Sequence, residues 1–582
     1  MERDESLDAL RFARSSHPRR LGPALRQMLR HPGRAFAILR ARLSGKRLRA
    51  RQSLAALVGI DHRLTLPSEI LDRFPAAAAG WSDAGIHLLC PPGHRLVEGA
   101  QARIVAAFAD PSLQALYGDA LVQFEAGGPV LPLLRPAFDP VLLLGVDYIG
   151  PVLAVRRTAL AAFETRPALE VVFRITERFG GIAIGHLPEV ISLWRPYSAV
   201  SEPHGLSSPL RGGAGGGDGA EGTYESHPAP PPPLTPPRKG EGTRAPDRSE
   251  ALSTPSRVGI VRAHLDRTGF AASRLAFGPE GVIDIAHPLP DPLPLASMIV
   301  PTRDRLDLLR PCIASLSART DWPAFEILIC DNDSREPETL AYFRALEAEG
   351  SARIVPCPGP FNFAAMNNRA AGLARGRLLV FVNNDVEAFE PDWLTRLARE
   401  ALRPDVGAVG AKLLDGESRI QHAGIVLGTG GLVTHGHRHF PTDAPGYLSM
   451  LRATHEVSAV TAACLAVETE KFAAVGGFDQ DKFAVDFNDV DLCLRLNREG
   501  YRTLLVPGAV LHHREAASRR WTPQARARHA AEVANLKERW GPLLAQDPHY
   551  HPGFDPDLST HARLRGGRLW QGAPGVVRRS PH

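Results

Sequence analysis

From residue 297 to residue 382 short apolar runs alternate with segments of helical spacing, and no other feature of this 582-residue chain narrows its fold as much. Ser297–Pro301 (SMIVP), Phe325–Cys330 (FEILIC), Arg353–Val355 and Leu378–Val382 (LLVFV) read as buried strands. Arg305–Arg319, Glu338–Glu349 and Ala364–Ala374 carry helical periodicity between them. Strands alternating with helices imply a mostly parallel sheet, whose ligands sit at the carboxyl ends of its strands.

Acidic and polar residues stand at two such ends, as Asp331-Asn332-Asp333-Ser334 and Asn383-Asn384-Asp385. A carboxylate there can accept hydrogen bonds from a base or ribose, but beside a diphosphate it is repelled unless a divalent cation intervenes. Asp385 therefore suggests a Mg²⁺ or Mn²⁺ site, although Asp and Asn also favour strand-to-helix turns for conformational reasons alone. A third element, Phe487-Asn488-Asp489-Val490-Asp491, fits the acidic start of a helix that ends at Arg498-Glu499-Gly500. The helix dipole favours ionised Asp489, so the residue makes an effective base only if desolvation or a neighbouring acid raises its pKa; otherwise it is a helix cap.

The ordered set PTRDR (Pro301–Arg305), CDNDS (Cys330–Ser334), FNFAAMNN (Phe361–Asn368), FVNNDVE (Phe381–Glu387), VGGFD (Val475–Asp479), FNDVDLCLR (Phe487–Arg495) and GAVLHH (Gly508–His513) resembles the family 2 glycosyltransferases. It is most similar to bacterial enzymes of O-antigen or other surface-polysaccharide assembly. The resemblance implies a GT-A fold, α/β and Rossmann-like, over residues 295–520, and an inverting hexosyl transfer of the EC 2.4 class. It implies that Thr302, Asp331, Asp333 and Asn383 hold the nucleotide, that Asp385 and His513 hold the metal, and that Asp489 is the general base. Gly476, Gly477 and Asp491 would shape the loop near donor and acceptor. Asn383 replaces the first acid of the family's D-x-D triplet, and Asn488 the acid before the base. The implied partners are a dTDP-, UDP- or GDP-sugar donor and a glycan or lipid-linked glycan acceptor, with dTDP-rhamnose a candidate donor.

Residues 53–200 carry fainter echoes of the same family in Tyr117-Gly118-Asp119, Arg135-Pro136 and Leu193-Trp194-Arg195. No acid occupies Cys90–Pro92, and Ala168-Leu169-Glu170-Val171-Val172 stands where a base motif is expected, so this half reads as a truncated, degenerate GT-A-like module. Residues 201–257 form a Gly/Pro-rich linker, expected to be disordered, with GGAGGGDG and PAPPPPLTPP inside it. Residues 258–294 connect to the second half, and Thr522–Trp540 reads as a helix within a C-terminal segment, 521–582, that also carries Asp547-Pro548-His549-Tyr550-His551-Pro552.

Residues 1–52 form a basic helical tail, the first 51 of them holding 14 Lys or Arg against four acids. Apolar positions Leu25, Met28, Leu29, Phe36, Leu39 and Leu43 at helical spacing give it either a contact with anionic lipid or a packed, solvated face. A net charge of +5 spread over the whole chain argues against nucleic acid as a partner. The six cysteines lack C-x-x-C spacing and read as reduced thiols. With neither a long apolar run nor a signal-type N-terminus, the expected compartment is the cytoplasm, peripheral at the inner face of the plasma membrane. His435, His437 and His439, at alternating positions after His422, would share one strand face as a zinc site or form an acceptor-facing loop. The alternative to an enzyme is an inactive scaffold of a polysaccharide assembly complex.

Overall fold

The computed structural model describes residues 28–44, 50, 53–54, 66, 68–77, 81, 83–160, 166–195, 256–514, 522–556, 559, 561, 564–565 and 576–578. The Gly/Pro-rich stretch lies outside them. The fold is α/β, with two mixed sheets. The basic segment contributes helix α1 (Pro32–Leu43), which starts with Pro at its first turn, where the missing N–H costs nothing.

The first sheet is built from β1 (Ile86–Leu89), β2 (His94–Leu96), β3 (Ala115–Gln123), β4 (Val130–Leu133), β5 (Leu153–Arg156) and β6 (Ile184–Trp194), with helices α2 (Ala100–Ala107) and α3 (Ala168–Phe179). Its path is β1-β5-β3-β6-β2, with β4 on β3. Every residue of the central β3 is buried, Asp119 and Gln123 included. Helix α3 turns Leu169, Val172, Phe173 and Ile175 to the core, following the 3.6-residue period. The segment expected only to connect the halves forms α4 (Arg257–Arg267) and the hairpin β7 (Arg274–Phe277) and β8 (Ile283–Ala286). Its Ile260, Val261, Leu265 and Ile283 join the core of this first module, and Glu177 of α3 pairs with His264 and Arg267 of α4.

The second sheet contains β9 (Ala296–Thr302), β10 (Phe325–Asp331), β11 (Arg353–Pro356), β12 (Leu378–Val382), β13 (Val386–Ala388), β14 (Val406–Leu414), β15 (Ile420–His422), β18 (His455–Glu456), β19 (Cys464–Glu468) and β20 (Arg502–His513). A separate hairpin is formed by β16 (Ile425–Leu427) and β17 (Val433–His435). The helices are α5 (Leu306–Ala318), α6 (Pro337–Ala348), α7 (Phe363–Ala371), α8 (Trp393–Ala401), α9 (Asn488–Arg498) and α10 (Pro523–Trp540). The order β11-β10-β9-β12 is parallel, as the alternation predicts; β19 then enters antiparallel between β12 and β14, a feature the alternation does not contain.

The first sheet repeats the far half of the second. Both run antiparallel, antiparallel, parallel: β1-β5-β3-β6 matches β12-β19-β14-β20, β4 matches β15 at the side of the third strand, and β2 matches β13. Among the described residues the first module has no counterpart of β9, β10 and β11.

The two modules share side chains and hydrogen bonds. The Tyr447 hydroxyl donates to the carbonyl of Leu134 and accepts from its N–H, both at 2.8 Å, and Asp139 Oδ2 accepts from the Glu456 N–H at 2.8 Å. From the C-terminal segment Tyr550 and Phe554 enter the first module's core, and His551 Nε2 lies 2.8 Å from Asp119 Oδ2. Among the described residues no helix is long and apolar enough to cross a membrane.

Candidate active site

The carboxyl ends of β9 and β10 face each other in register, pairing Thr302 with Asp331. Thr302 is buried, and its hydroxyl accepts from Asn384 Nδ2 at 2.9 Å while donating to the Asp304 carbonyl at 3.2 Å. Asp331 Oδ1 takes the Ser334 N–H at 3.0 Å. Asp333, at a φ of 58°, reaches the Gly359 N–H beyond β11 at 2.9 Å. Asp304 and Arg305 also have positive φ, and Asp304 Oδ1 accepts from the N–H groups of Arg335 and Glu336. Three non-glycine residues in the left-handed region around one crevice are the kind of strain that clusters at ligand sites.

On the other side of the crevice, β13 and β20 pair Val386 with His513. His513 Nδ1 is 2.7 Å from Gln421 Oε1, which only accepts, so the proton of the neutral ring is assigned to Nδ1. His513 Nε2 then presents a lone pair to Asp385 Oδ1 at 3.1 Å, and Asn383 Nδ2 approaches the same nitrogen at 3.4 Å. A lone pair and a carboxylate oxygen at that distance repel unless a proton or cation joins them. Adjacent ligands of an octahedral Mg²⁺ with ~2.1 Å bonds stand about 3.0 Å apart, so the spacing of Asp385 and His513 fits a divalent cation. Gln421, which fixes the tautomer, carries no sequence motif and was not an expected site residue.

Asp489 lies in the first turn of α9, whose cap is Phe487 at a φ of 61°. It is half-buried, and loss of solvent raises its pKa above the usual carboxylate range, opposed by the N–H groups of Ala462 and Val490 and the Thr461 hydroxyl. The same Thr461–Ala463 segment accepts the Asn383 N–H at Ala463, so Asp489 and the Asn383-Asn384-Asp385 triplet are tied to one piece of backbone. Asn488 donates to the Val485 carbonyl and holds the turn. Gly476 and Gly477 both have positive φ. The loop they form is clamped by Asn368, which pairs with the N–H and carbonyl of Phe478, and by Arg495, which donates to the carbonyls of Val475 and Gly477. The Asp491 carboxylate is fully buried among Arg495, Arg539 and Trp540, where it packs α10 on α9.

Residues 297–422 match the model of the glycosyl transferase family 2. The chain carries a family 2 glycosyltransferase domain. It is 34% identical over 457 residues to the uncharacterised protein y4gI of Sinorhizobium fredii, covering 77% of this chain and 46% of that one. It is 34% identical over 484 residues to the O-antigen biosynthesis protein RfbC of Myxococcus xanthus, covering 80% and 33%. The chain thus spans less than half the length of these two relatives. An N-acetylglucosaminyl-diphospho-decaprenol L-rhamnosyltransferase of Mycobacterium tuberculosis is 26% identical over 231 residues, 35% of this chain and 70% of that one. Among solved structures, a mannosyltransferase of Pyrobaculum calidifontis in complex with GDP-Man and Mn²⁺ aligns with a TM-score of 0.33 at 19% identity, over 48% of this chain and 71% of that one.

The repeat shows what the first module has in place of the glycosyltransferase domain's polar groups. Through the strand registers, His513 corresponds to Trp194 and Asp385 to Gly93, and Asp489 corresponds to Leu169 in the first turn of α3. Trp194 stacks on His94 with ring centroids 5.5 Å apart, so an aromatic ring takes the place of His513 while Gly93 offers no side chain in the place of Asp385.

The histidines after His422 do not share a strand face. Strand β17 ends at His435, and His437 and His439 have φ of 50° and 70°. His422 Nε2 accepts from the Thr461 N–H, leaving its Nδ1–H to bond His435 Nδ1 at 2.7 Å. Among the described residues Asp119, His186 and His551 bring potential ligand atoms within 4.8 Å of one another. His551 Nδ1, however, accepts from the Gly553 N–H, which puts the ring proton on the Nε2 facing Asp119. That group is a buried charge-paired contact that joins the C-terminal segment to the first module.

Proposed function

We propose that this chain is an inverting, metal-dependent glycosyltransferase of surface-polysaccharide assembly, moving a sugar from a nucleotide diphosphate donor to a glycan or lipid-linked glycan. The observation that carries the reading is the approach of His513 Nε2 to Asp385 Oδ1 at 3.1 Å, beside the crevice that also holds the Thr302–Asp331 pair. Family membership and the similarity to an O-antigen biosynthesis protein support the polysaccharide assignment; the similarity to a rhamnosyltransferase makes a dTDP-sugar the first donor to try.

Thr302, Asp331, Asp333 and Asn383 orient the base, ribose and diphosphate at the strand ends. Asp385 and His513 would hold a Mg²⁺ or Mn²⁺ ion, which would neutralise charge on the departing nucleoside diphosphate. Asp489 takes the proton from the acceptor hydroxyl as its oxygen attacks the anomeric carbon, and its raised pKa brings it nearer the operating pH than an exposed aspartate. The clamped Gly476–Gly477 turn fixes the loop against which donor and acceptor meet. The first module, with Trp194, Gly93 and Leu169 at the corresponding positions, serves as a scaffold.

The test is calorimetric titration of the purified chain with UDP, dTDP and GDP, each with Mn²⁺ and with EDTA. One nucleotide should bind only with the metal. Metal-independent binding, or none, would favour the inactive scaffold.

A further inference from the structure

Helix α1 and the helical turn before it, residues 28–30, present an apolar stripe to solvent. Leu29, Phe36, Leu39 and Leu43, spaced by three, four and seven residues, are 72%, 68%, 52% and 79% exposed. Ile38 is buried on the opposite side, against Ala50 with Met28, Ala41 and Leu54 around it. A helix packed for stability alone does the reverse. The stripe is also embedded in positive charge: Arg30, Arg40 and Arg42 are exposed, and residues 28–44 contain no acid. Contiguous exposed apolar side chains mark an interaction surface, and an acid-free, arginine-bordered helix face complements an anionic lipid interface.

The helix also roofs the candidate site. A cavity of about 660 Å³ lies beneath it, lined by Arg34, Phe36 and Arg40 of α1 on one side and by Gln421, His513 and Arg514 on the other. His513 and Gln421 are the metal-site residue and its orienter, so the cavity joins the site mouth to the underside of the helix.

We infer that α1 and the helical turn before it form an in-plane anchor that docks the protein on an anionic bilayer, with Leu29, Leu39 and Leu43 among the acyl chains and the site mouth held at the headgroup layer. A lipid-linked acceptor is thereby delivered along the surface to the cavity under the helix. The docking stands independently of the transferase reading; the delivery of an acceptor rests on it.

Vesicle flotation of the full chain tests the docking, using phosphatidylcholine alone and phosphatidylcholine mixed with phosphatidylglycerol. The wild type should float with the mixed vesicles and not with the neutral ones, losing binding as salt is raised. Arg30→Gln with Arg42→Gln should weaken it about thirtyfold, each arginine contributing about fivefold at the surface. Leu39→Glu with Leu43→Glu, at positions outside the cavity lining, should abolish flotation while metal-dependent nucleotide binding is retained. Flotation of that variant at the wild-type level would overturn the inference, as would equal binding of the wild type to neutral vesicles. A wild-type dimer that the same variant dissociates would also overturn it, assigning the face to a second copy. Loss of nucleotide binding in the wild type would strike the transferase reading and leave the docking result intact.

Discussion

His513 Nε2 stands 3.1 Å from Asp385 Oδ1 with the ring proton on the far nitrogen, held by Gln421. A site of this kind binds through two lone pairs and depends on the residue that orients the imidazole. Asp385→Ala and His513→Ala should each remove metal-dependent nucleotide binding. Gln421→Leu, which removes the partner of His513 Nδ1, should weaken it by about 10–100-fold, the usual cost of losing a group that orients a ligating histidine. Titration with Mn²⁺ at constant nucleotide measures both, and an unchanged Gln421→Leu would refute the assigned tautomer.

Asp489→Asn separates catalysis from folding. Removing the base should lower kcat by about 10²–10⁴-fold with nucleotide binding near normal. The pKa of Asp489 is raised in the folded chain, so its ionised form is the one the fold disfavours. The stability contributed by its protonated form is complete below the unfolded aspartate pKa and is lost as pH rises through the folded value. The Asn variant should therefore match the wild type in acid and equal or exceed it in urea resistance at neutral pH, while wild-type kcat falls on the acid side as Asp489 protonates. An Asp489→Asn enzyme of full activity would exclude the role.

Much of this site was legible because strands β9, β10 and β12 are short apolar runs that end abruptly in Thr302, Asp331 and Asn383-Asn384-Asp385. Gln421 and Thr461 were not legible: Gln421 acts by fixing a tautomer across paired strands, and Thr461 through a contact made only when β19 enters antiparallel. The H-x-H-x-H pattern misled because period-2 alternation implies one face only while the strand lasts, and β17 stops at His435. The start of α9 was nearly right, but Phe487 in the left-handed region caps it and Asp489 lies inside its first turn. The internal repeat was visible only as short scattered segments such as Tyr117-Gly118-Asp119, because Gly93, Trp194 and Leu169 stand where Asp385, His513 and Asp489 stand in the second half.

The contact around Asp119 predicts an acid-sensitive interface. The carboxylate is fully enclosed, and although burial alone would raise its pKa, His551 and His186 hold it well below the usual range. A depressed carboxyl stabilises the fold above the unfolded pKa and loses that contribution as pH falls through the folded value. Asp119→Ala leaves His186, His551 and the Arg135 N–H without their acceptor and should cost about 3–5 kcal/mol. The urea midpoint at neutral pH would show it, and the gap from the wild type should close in strong acid. A variant as stable as the wild type at neutral pH would show that this contact does not hold the C-terminal segment on the first module.

The two loop glycines should differ although both have positive φ. At Gly476, with a φ of 78°, an added Cβ would meet nothing within 4 Å, so Gly476→Ala costs only backbone strain of about 1–2 kcal/mol. At Gly477, with a φ of 68°, the same atom would lie 2.7 Å from Asn368 Oδ1, the group that holds the Phe478 N–H. Gly477→Ala must therefore displace the clamp between α7 and the loop, and misplacement by about 1 Å near reacting groups can cost about 10²-fold in rate. We expect Gly477→Ala to lower kcat by that order with nucleotide binding little changed, and Gly476→Ala to stay within a few-fold of the wild type. Equal rates for the two variants would mean that the loop takes no part in positioning donor and acceptor.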